Sequence, residues 1–384
     1  MSETVRHENL SKKKIILFSL LPLVILLLGL ELIARIVEIW LPPMVTDIGL
    51  GFTEDSRLFI PDPHDSRYLI THPNKTVAFQ NQRFLKNKPS NTLRIFFLGG
   101  SSVNYVNYEL PNLSERLKEA LKPRYKEVEI INCGGLSYGT HRLVLIAREI
   151  VNYAPDLVMI YSGHNEFEEI EQLHLARVQS TKLQRILFSS AMMRFIRDRI
   201  ATYQISQLEK EHNRRMLAQS LPDAGKGWNH VFTPQEIVER MEKYKYNLNE
   251  IIQLCKEKNI KVVIATVPSN YIKPNLIGKS ANDYEQVLQL IKEEKYKEAY
   301  ELGRKIIRET SPRHQSSDLE NNIVRELAQQ NQIPLADVLS AIEEAEPHHI
   351  PGETLFNDHC HLNPIGNEIM IQTFEKTIIQ CLTK

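Results

Sequence analysis

The N-terminal forty residues are dominated by apolar side chains. A cluster of three lysines precedes the stretch 15–40, whose only charged residues are Glu31, Arg35 and Glu38. A bilayer core requires about 20 mainly apolar residues in a helix, so this stretch is long enough to cross it. Basic residues mark the cytoplasmic end of such helices. The pattern therefore predicts a cytoplasmic tail at 1–14, a single transmembrane anchor at 15–40, and a soluble part in the periplasm or outside the cell.

Two other interpretations of the apolar stretch are a cleaved signal peptide and a buried core helix. No A-x-A-like cleavage site follows the stretch, which argues against the signal peptide. Lysines directly before the stretch fit entry into a membrane better than a core helix. Glu31 and Arg35 are one helical turn apart and can pair on one face of the helix.

From residue 93 onward, short apolar runs alternate with amphipathic stretches. Apolar runs bounded by glycine or turn residues are typical of buried strands, and the longer amphipathic stretches are typical of helices. The runs predicted to be strands are LRIFFLGG, VEIINCGG, DLVMIYSG, IKVVIATVPSN and IPLADV. Strands that alternate with helices predict an α/β fold, here a parallel sheet of about five strands with helices on both faces.

Three segments depart from this alternation. Residues 41–92 contain many turn formers and are interpreted as an irregular linker that wraps onto the domain at 93–384. Residues 170–235 are helical in pattern, basic and rich in apolar side chains. They form either an extra amphipathic helix packed on the domain or a surface that lies against the membrane. Residues 283–312 resemble a single tetratricopeptide-like hairpin, which must dock on the main domain because one unit cannot bury its own face.

The composition excludes some classes of function. Lys+Arg and Asp+Glu number 47 each, so no basic excess indicates nucleic-acid binding. The four cysteines have no CxxC spacing, which argues against a zinc knuckle or a thioredoxin-type motif. A disulfide is still possible, because a cysteine pair in an exported domain can be oxidised.

Four polar segments follow predicted strands or precede the last helix, and ligands gather at the carboxyl ends of parallel strands. They are GGSS at 99–102, NCGGLSYGT at 132–140, SGHNEF at 162–167 and DHCHLNPIGN at 358–367. A serine on a glycine turn can act as a nucleophile, glycine-rich turns and an asparagine amide can donate to an oxyanion, and Asp-x-x-His can supply an oriented base. Taken singly, the first three segments are weak signals, and GGSS alone favours an ordinary turn with a serine cap.

The order of the four segments resembles that of the SGNH/GDSL hydrolases, from about Leu93 to the C-terminus. The resemblance implies a flavodoxin-like three-layer sandwich, and it implies an enzyme that needs no cofactor. It implies Ser101 as the nucleophile, His361 as the base and Asp358 as the residue that orients it. It also implies an oxyanion hole made of the Asn165 side chain and of two backbone N–H groups. One belongs to Ser101, and the other belongs to Ser137 in the second segment, which is the second block of the family pattern.

The sequence departs from the family pattern at two positions. Gly100 stands where many members have aspartate before the nucleophile. The second-block residue aligns with Ser137, where glycine is usual. Neither departure removes a reacting group, because the second block contributes a backbone amide, but both weaken any transfer of substrate specificity.

Several neighbouring residues have less defined roles. Ser102 is an alternative nucleophile to Ser101. Asn270 follows the fourth strand and is predicted to line the substrate site. Arg142 is predicted to bind a substrate oxygen or, equally, to form a structural salt bridge.

A zinc site is an alternative explanation of the histidine-rich residues near the C-terminus. They are His348, His349, Asp358, His359, Cys360 and His361. Adjacent residues rarely present ligands to one ion, and the tract does not have the spacing of zinc motifs, so no metal is predicted.

The sequence thus predicts a membrane-anchored serine esterase that acts on an O-acetylated glycan or on a small or lipid ester. Two alternatives stay open. One is an acyltransferase that modifies an envelope glycan with the same triad. The other is a catalytically silent scaffold, which the helical hairpin would favour as a surface for a protein partner.

Overall fold

The computed structural model describes residues 12–40, 57–76, 78–167, 169, 189–196, 199–200, 203, 232–276, 279–310, 313, 315–352 and 354–383. The chain divides into two compact units. The first comprises Met1–Thr46 and Gln179–Gln207, and the second comprises Asp47–Val178 and Leu208–Lys384.

The first unit contains helix α1, Lys12–Trp40. Its part Phe18–Trp40 is 23 residues long, and the 18 consecutive residues of this part that are most apolar have a mean hydropathy of 2.5 and are only 6% buried. Length and composition therefore make this helix a candidate membrane span. Residues 189–196, 199–200 and 203 of the predicted insertion belong to the same unit, and most of the rest of 170–235 lies outside the described residues.

The second unit is built on a sheet of five parallel strands. The strands are β4 (Thr92–Gly99), β5 (Glu127–Gly134), β6 (Leu157–Tyr161), β7 (Lys261–Ala265) and β8 (Leu335–Ala336). Their order in the sheet is β5-β4-β6-β7-β8. This is the flavodoxin-like order, and the prediction of an α/β fold with about five parallel strands is confirmed.

Helices cover both faces of this sheet and enclose two apolar cores. The side chains of β4 alternate between the cores, with Phe96 and Leu98 in one and Ile95 and Phe97 in the other. Helices that contribute to the first core are α4 (Thr140–Ile150), α5 (Pro234–Glu257) and α8 (Asp318–Asn331). Helices that contribute to the second are α3 (Leu110–Ala120), α9 (Val338–Ala345) and α10 (Pro364–Thr383). The arrangement is a three-layer sandwich.

Residues 57–92 are more regular than the irregular linker that the turn formers predict. They contain a second, antiparallel sheet of three short strands. The strands are β1 (Phe59–Pro61), β2 (Tyr68–Thr71) and β3 (Arg83–Leu85). Each strand has only three or four residues, too few for a visible alternation, and the sheet is stabilised instead by non-local contacts such as Phe59 with Phe84, whose ring centroids are 5.0 Å apart.

Two consecutive helices occupy the predicted hairpin, α6 (Lys279–Lys292) and α7 (Tyr296–Glu309). They have an apolar core of their own, which includes Tyr271 and Ile350 from outside the hairpin. The helices were predicted, whereas their likeness to a tetratricopeptide unit stays a prediction.

All four cysteines are buried and reduced. Burial raises the pKa of Cys133, and it raises the pKa of Cys255 to about 12. No disulfide joins these four residues, so the oxidised pair that the sequence left open is not present.

Candidate active site

The polar segments meet at the carboxyl edge of the five-stranded sheet. Strand β4 lies between β5 and β6, so the chain leaves β4 at the point where the strand order reverses. In open α/β sheets a crevice forms at this point. The sheet therefore brings the segments after β4, β5 and β6 side by side.

Ser101 begins the short helix α2 (Ser101–Tyr105), directly after two glycines. A side chain at Gly99 would collide with the carbonyl oxygen of Tyr161 in the neighbouring strand. The amide of Gly135 donates to the carbonyl of Gly99 over 3.0 Å. The close approach of three chain segments fixes the turn that presents Ser101.

Ser101, His361 and Asp358 form a continuous row of hydrogen bonds. His361 Nε2 lies 2.8 Å from Ser101 Oγ, and His361 Nδ1 lies 2.7 Å from Asp358 Oδ2. An ionised carboxylate only accepts hydrogen bonds, so Nδ1 carries the proton and Nε2 can accept one from the serine hydroxyl. This is the arrangement that converts a serine into a nucleophile.

Asp358 also orients the loop in which it lies. Its Oδ1 accepts hydrogen bonds from the amides of Cys360 and His361, at 2.8 Å and 2.7 Å. Burial raises the pKa of Asp358, but the hydrogen bonds from the His361 side chain and these two amides outweigh burial and hold that pKa well below its usual range. Asp358 is therefore ionised at neutral pH, as an orienting partner of an imidazole must be.

Asn270 lies against this loop and is 2% exposed. Its Nδ2 donates to the carbonyl of Asp358 over 3.0 Å, and its Oδ1 accepts from the amides of Ile272 and Lys273. Its own amide donates to the carbonyl of His359 over 3.0 Å. The structure therefore assigns Asn270 to the support of the Asp358 loop rather than to the predicted contact with substrate.

Ser137 has a left-handed backbone, with φ of 59°. Residues other than glycine rarely adopt this region, because Cβ crowds the backbone there. The conformation explains why glycine suits this position, and it agrees with the alignment of Ser137 to the usual glycine. Arg142 Nη2 donates to the Ser137 carbonyl, so the peptide that follows Ser137 has a fixed orientation.

The Asn165 side chain lies across Gly100. Its Nδ2 donates to the carbonyl of Tyr138 over 3.1 Å. A Cβ at Gly100 would be 2.5 Å from Nδ2 of Asn165. In this chain, glycine before Ser101 therefore leaves the space that the Asn165 amide occupies.

Two buried glutamates bind the start of helix α4 to the segment that carries Asn165. Glu166 accepts hydrogen bonds from the amide and hydroxyl of Thr140, each at 2.8 Å, and pairs with Arg240. Burial raises the pKa of Glu166, and the Arg240 guanidinium opposes that shift. Carboxylates at a helix N-terminus satisfy amides that have no partner inside the helix.

Glu169 makes the second of these contacts. It accepts from the amides of His141 and Arg142 at 3.0 Å and 3.2 Å, and from Arg142 Nε at 2.6 Å. Arg142 and Glu169 are both 0% exposed. The buried pair agrees with the second alternative for Arg142, a structural salt bridge, and leaves no side-chain surface for a substrate.

A cavity of about 10 Å³ adjoins Ser101. Three polar atoms of residues that line it, Ser102 Oγ, Ser162 Oγ and His164 Nε2, are buried and have no hydrogen-bond partner among the described residues. His164 Nδ1 accepts from the amide of Ser316 over 3.1 Å, so Nε2 carries the proton. Burial lowers the pKa of His164 to about 3, and the ring is therefore neutral. A polar cavity of this size can hold about one water molecule.

The same cavity bears on the choice between the two serines. Ser102 Oγ is buried at its wall, whereas Ser101 Oγ lies within hydrogen-bond distance of His361. This geometry favours Ser101 over Ser102 as the nucleophile.

Tyr105 stands beside the imidazole on the solvent side. Its ring is 51% exposed, and its centroid lies 4.9 Å from that of His361. Burial of part of the ring and the charge of Asp358 raise the pKa of Tyr105, so its hydroxyl is protonated at neutral pH. The exposed ring offers an apolar surface next to the reacting atoms.

Asp358, Cys360 and His361 could also approach a single metal ion, because their ligand atoms lie within 4.8 Å of one another. Both nitrogens of His361 already contact Ser101 and Asp358, so a bound ion would have to displace one of these contacts. His348 stacks on the ring of Tyr296 at a centroid distance of 3.6 Å and lies outside this cluster.

Several residues that shape the site received no role in the sequence analysis. Glu166 and His164 lie inside the SGHNEF segment, and their position beside Asn165 is the signal that could have identified them. Arg240 has no such signal, because it lies 74 positions from Glu166 in a helix of ordinary pattern. The additional residues are Tyr105, Ser162, His164, Glu166, Glu169 and Arg240.

Neither the known protein-family models nor the curated proteins include a match to this chain. Solved structures do show similarity. An acetyl xylan esterase, AlAXEase, is 17% identical with a TM-score of 0.41, over 74% of this chain and 100% of that one. A GDSL-like lipase from Bacteroides thetaiotaomicron VPI-5482 is 14% identical with a TM-score of 0.39, over 75% of this chain and 87% of that one.

An acetylxylan esterase from Geobacillus stearothermophilus gives similar values, with 14% identity and a TM-score of 0.38 over 74% of this chain and 94% of that one. Of these three proteins, the lipase is described by the name of the group that the four sequence segments resemble. At TM-scores near 0.4 the similarity carries no argument about activity, so the function depends on the geometry of the site itself.

Proposed function

We propose that this chain is a membrane-anchored serine esterase of the SGNH/GDSL type. Ser101 is the nucleophile, His361 the general base and Asp358 the residue that orients the imidazole. The observation that carries the proposal is the hydrogen-bonded row from Ser101 Oγ through His361 to Asp358, with contacts of 2.8 Å and 2.7 Å.

The reaction is acyl transfer to water in two steps. Ser101 Oγ attacks the ester carbonyl while its proton moves to His361 Nε2. Collapse of the tetrahedral intermediate expels the alcohol, which takes that proton, and leaves an acyl-serine. Water then attacks the acyl-serine, loses its proton to His361 and releases the carboxylic acid with Ser101 restored.

The developing oxyanion needs donors near Ser101. In this proposal they are the backbone N–H groups of Ser101 and Ser137 and the side-chain amide of Asn165. Support comes from the contact of Asn165 with Gly100 and from the left-handed turn at Ser137, which the Arg142 guanidinium holds.

The substrate class that we propose is an O-acetylated glycan at the outer face of the membrane. The exposed ring of Tyr105 beside His361 supports a sugar, because the apolar face of a pyranose packs on aromatic rings. Helix α1 is long and apolar enough to anchor the chain, and its preceding lysines favour a cytoplasmic N-terminus. The esterase domain then lies in the periplasm or outside the cell.

The test uses the full chain purified in detergent, with Ser101→Ala and Ser102→Ala beside it. Short- and long-chain nitrophenyl esters report hydrolysis, and a fluorophosphonate reports an activated serine. We expect hydrolysis of the acetyl ester that Ser101→Ala abolishes and Ser102→Ala retains.

Two other outcomes would replace the proposal. Labelling of Ser101 without hydrolysis would indicate an acyltransferase, which product analysis with a glycan acceptor would then identify. Neither labelling nor hydrolysis, in a folded sample, would indicate a silent scaffold.

A further inference from the structure

Helix α1 carries acidic residues that an ordinary membrane anchor would not tolerate in contact with lipid. If Lys14 marks the cytoplasmic boundary, a hydrocarbon core of about 30 Å ends roughly 20 residues later, near Ala34, at a rise of about 1.5 Å per residue. Glu31 then lies just inside the core, and Glu38 lies in the headgroup region. An ionisable residue at such a depth needs a polar partner.

The partner of Glu31 is the start of the helical segment at 191–196. Glu31 accepts hydrogen bonds from Ser190 Oγ at 2.6 Å and from the amides of Ala191 and Met192 at 2.9 Å and 3.1 Å. It also pairs with Arg35 at 2.9 Å, as the helical spacing predicts. The carboxylate thus satisfies amides that a helix leaves without internal partners at its N-terminus.

A second contact lies one helical turn further along the segment. Arg194 donates from Nε and Nη2 to the two oxygens of Glu38, at 2.8 Å and 2.7 Å. Both side chains are largely withdrawn from solvent, at 21% and 16% exposure. Ala34 lies between the two glutamates in sequence and is buried, and its small side chain allows close packing of helices.

The segment leaves apolar side chains uncovered. Phe195, Ile196 and Ile200 are 40%, 43% and 53% exposed, and apolar side chains of α1 such as Leu32 and Ile39 are exposed as well. Exposed apolar side chains in the same unit as a candidate membrane span are expected to contact lipid acyl chains.

We propose that residues 189–196 and 199–200 belong to a second membrane-contacting element, which lies at the outer boundary of the bilayer and inserts Phe195, Ile196 and Ile200 among lipid acyl chains. Glu31 and Glu38 hold this element against α1. The proposal rests on the membrane anchor proposed above, and it selects the membrane-facing alternative for this part of the insertion.

The test places a single tryptophan at position 195 of the full chain in phosphatidylcholine vesicles with brominated acyl chains. The native tryptophans, Trp40 and Trp228, are replaced by phenylalanine, and Phe195→Trp is added. We expect bromine to quench this tryptophan about as strongly as it quenches the tryptophan of a matched variant that carries Leu26→Trp instead, because Leu26 lies within the hydrocarbon core and is exposed. Aqueous iodide should quench it little.

The controls separate the two proposals. If the tryptophan at position 26 is quenched by bromine and the tryptophan at position 195 is quenched only by iodide, the anchor stands and the second element is refuted. If bromine does not quench the tryptophan at position 26, the anchor is refuted, and this inference is refuted with it. Glu31→Leu, which keeps the span apolar, should weaken the quenching at 195, and unchanged quenching would show that Glu31 does not hold the segment.

Discussion

The side-chain amide of Asn165 lies so close to Gly100 that a Cβ at that glycine would be 2.5 Å from Nδ2. The two residues are 65 positions apart in sequence and meet because β4 and β6 are neighbours in the sheet. The identity of the residue before the nucleophile is therefore coupled to the position of the proposed oxyanion donor.

This contact predicts the effect of Gly100→Ala. Gly100 has φ of −88°, which alanine adopts without strain, so the methyl group acts mainly through Asn165, although it also lies 3.1 Å from the Tyr138 carbonyl oxygen. Asn165→Ala should lower kcat by roughly a hundred- to a thousandfold, the loss of one oxyanion donor. Gly100→Ala should lower kcat by a smaller factor than Asn165→Ala does. In a protein that already carries Asn165→Ala, it should have little further effect on kcat. Full additivity of the two losses would contradict the coupling.

Asp358→Asn should preserve the geometry of the site and still lower kcat by about 10⁴, because an amide favours the wrong imidazole tautomer. The amides of Cys360 and His361 can still donate to the remaining carbonyl oxygen. Steady-state kinetics on a nitrophenyl acetate, with a thermal-unfolding scan to show that the variant is folded, measures the effect. Retention of wild-type kcat would remove Asp358 from the proposed triad.

Exchange of the Tyr105 ring should separate sugar recognition from chemistry. Tyr105→Ala should raise KM for an O-acetylated oligosaccharide several-fold and leave kcat/KM for nitrophenyl acetate within about twofold, because the ring meets the imidazole in a tilted ring contact rather than in a hydrogen bond. Tyr105→Phe is the matched control and should retain the wild-type KM. An equal loss on both substrates would assign Tyr105 to the support of His361 instead.

The pH dependence of stability should include a contribution from His164. Its folded pKa, about 3, lies below the usual value near 6.5, so the unfolded chain takes up the proton first. The stabilisation is therefore complete above about pH 6.5 and is lost as pH falls towards the folded pKa, by up to about 1.4 kcal/mol per pH unit. The charges of His361, His359 and Asp358 act on the same ring.

His164→Gln should remove this part of the pH dependence while it keeps a donor near the position of Nε2. Thermal unfolding at pH 7.5, 6.5 and 5.5 measures the slope of Tm with pH for the wild type and the variant. The exposed His64 provides the matched control, His64→Gln. Equal slopes in the wild type and His164→Gln would show that His164 is not the buried neutral group described here.

The buried ion pair of Arg142 and Glu169 should be far more sensitive to truncation than an exposed pair. Arg142→Ala leaves the Glu169 carboxylate, which is 0% exposed, with only the more distant Arg240 guanidinium at 3.8 Å, and should cost about 3–5 kcal/mol. Arg148 lies on the same helix as Arg142 and forms an exposed pair with Glu250. Arg148→Ala removes this pair and should cost less than about 1 kcal/mol.

Unfolding in denaturant and kinetics on the same samples test both consequences of the Arg142 pair. Because Arg142 also holds the Ser137 carbonyl, Arg142→Ala should lower kcat more than it raises KM. A stability loss without any change in kcat would assign the pair to the fold alone.

The sequence could predict those parts of the site whose position follows directly from the order of strands in the sheet. Strands such as LRIFFLGG and DLVMIYSG end at one edge of a parallel sheet, so Ser101 and Asn165 had to lie near each other once the strands were recognised. Asp358 and His361 were recognised because three positions separate them on one loop.

The remaining parts depend on contacts between distant segments, which single-sequence patterns do not record. Arg240 approaches Glu166 only because α5 packs beside α4, and nothing in its local sequence marks it. The strands β1 to β3 were missed for a related reason, since they are too short for a period and depend on aromatic contacts such as Phe59 with Phe84. Asn270 was predicted to line the substrate site, whereas its buried amide supports the Asp358 loop, a contact that the sequence does not record.

The four buried thiols carry a consequence for how the protein is made. Cys133, Cys255, Cys360 and Cys381 all lie inside the fold and form no cross-link with one another, so the domain reaches its final structure without an oxidant. Its maturation needs no disulfide-forming enzyme, and a reducing agent does not destabilise it. The domain can therefore be produced in a reducing cytosol or on the oxidising side of a membrane, with the same covalent structure in both.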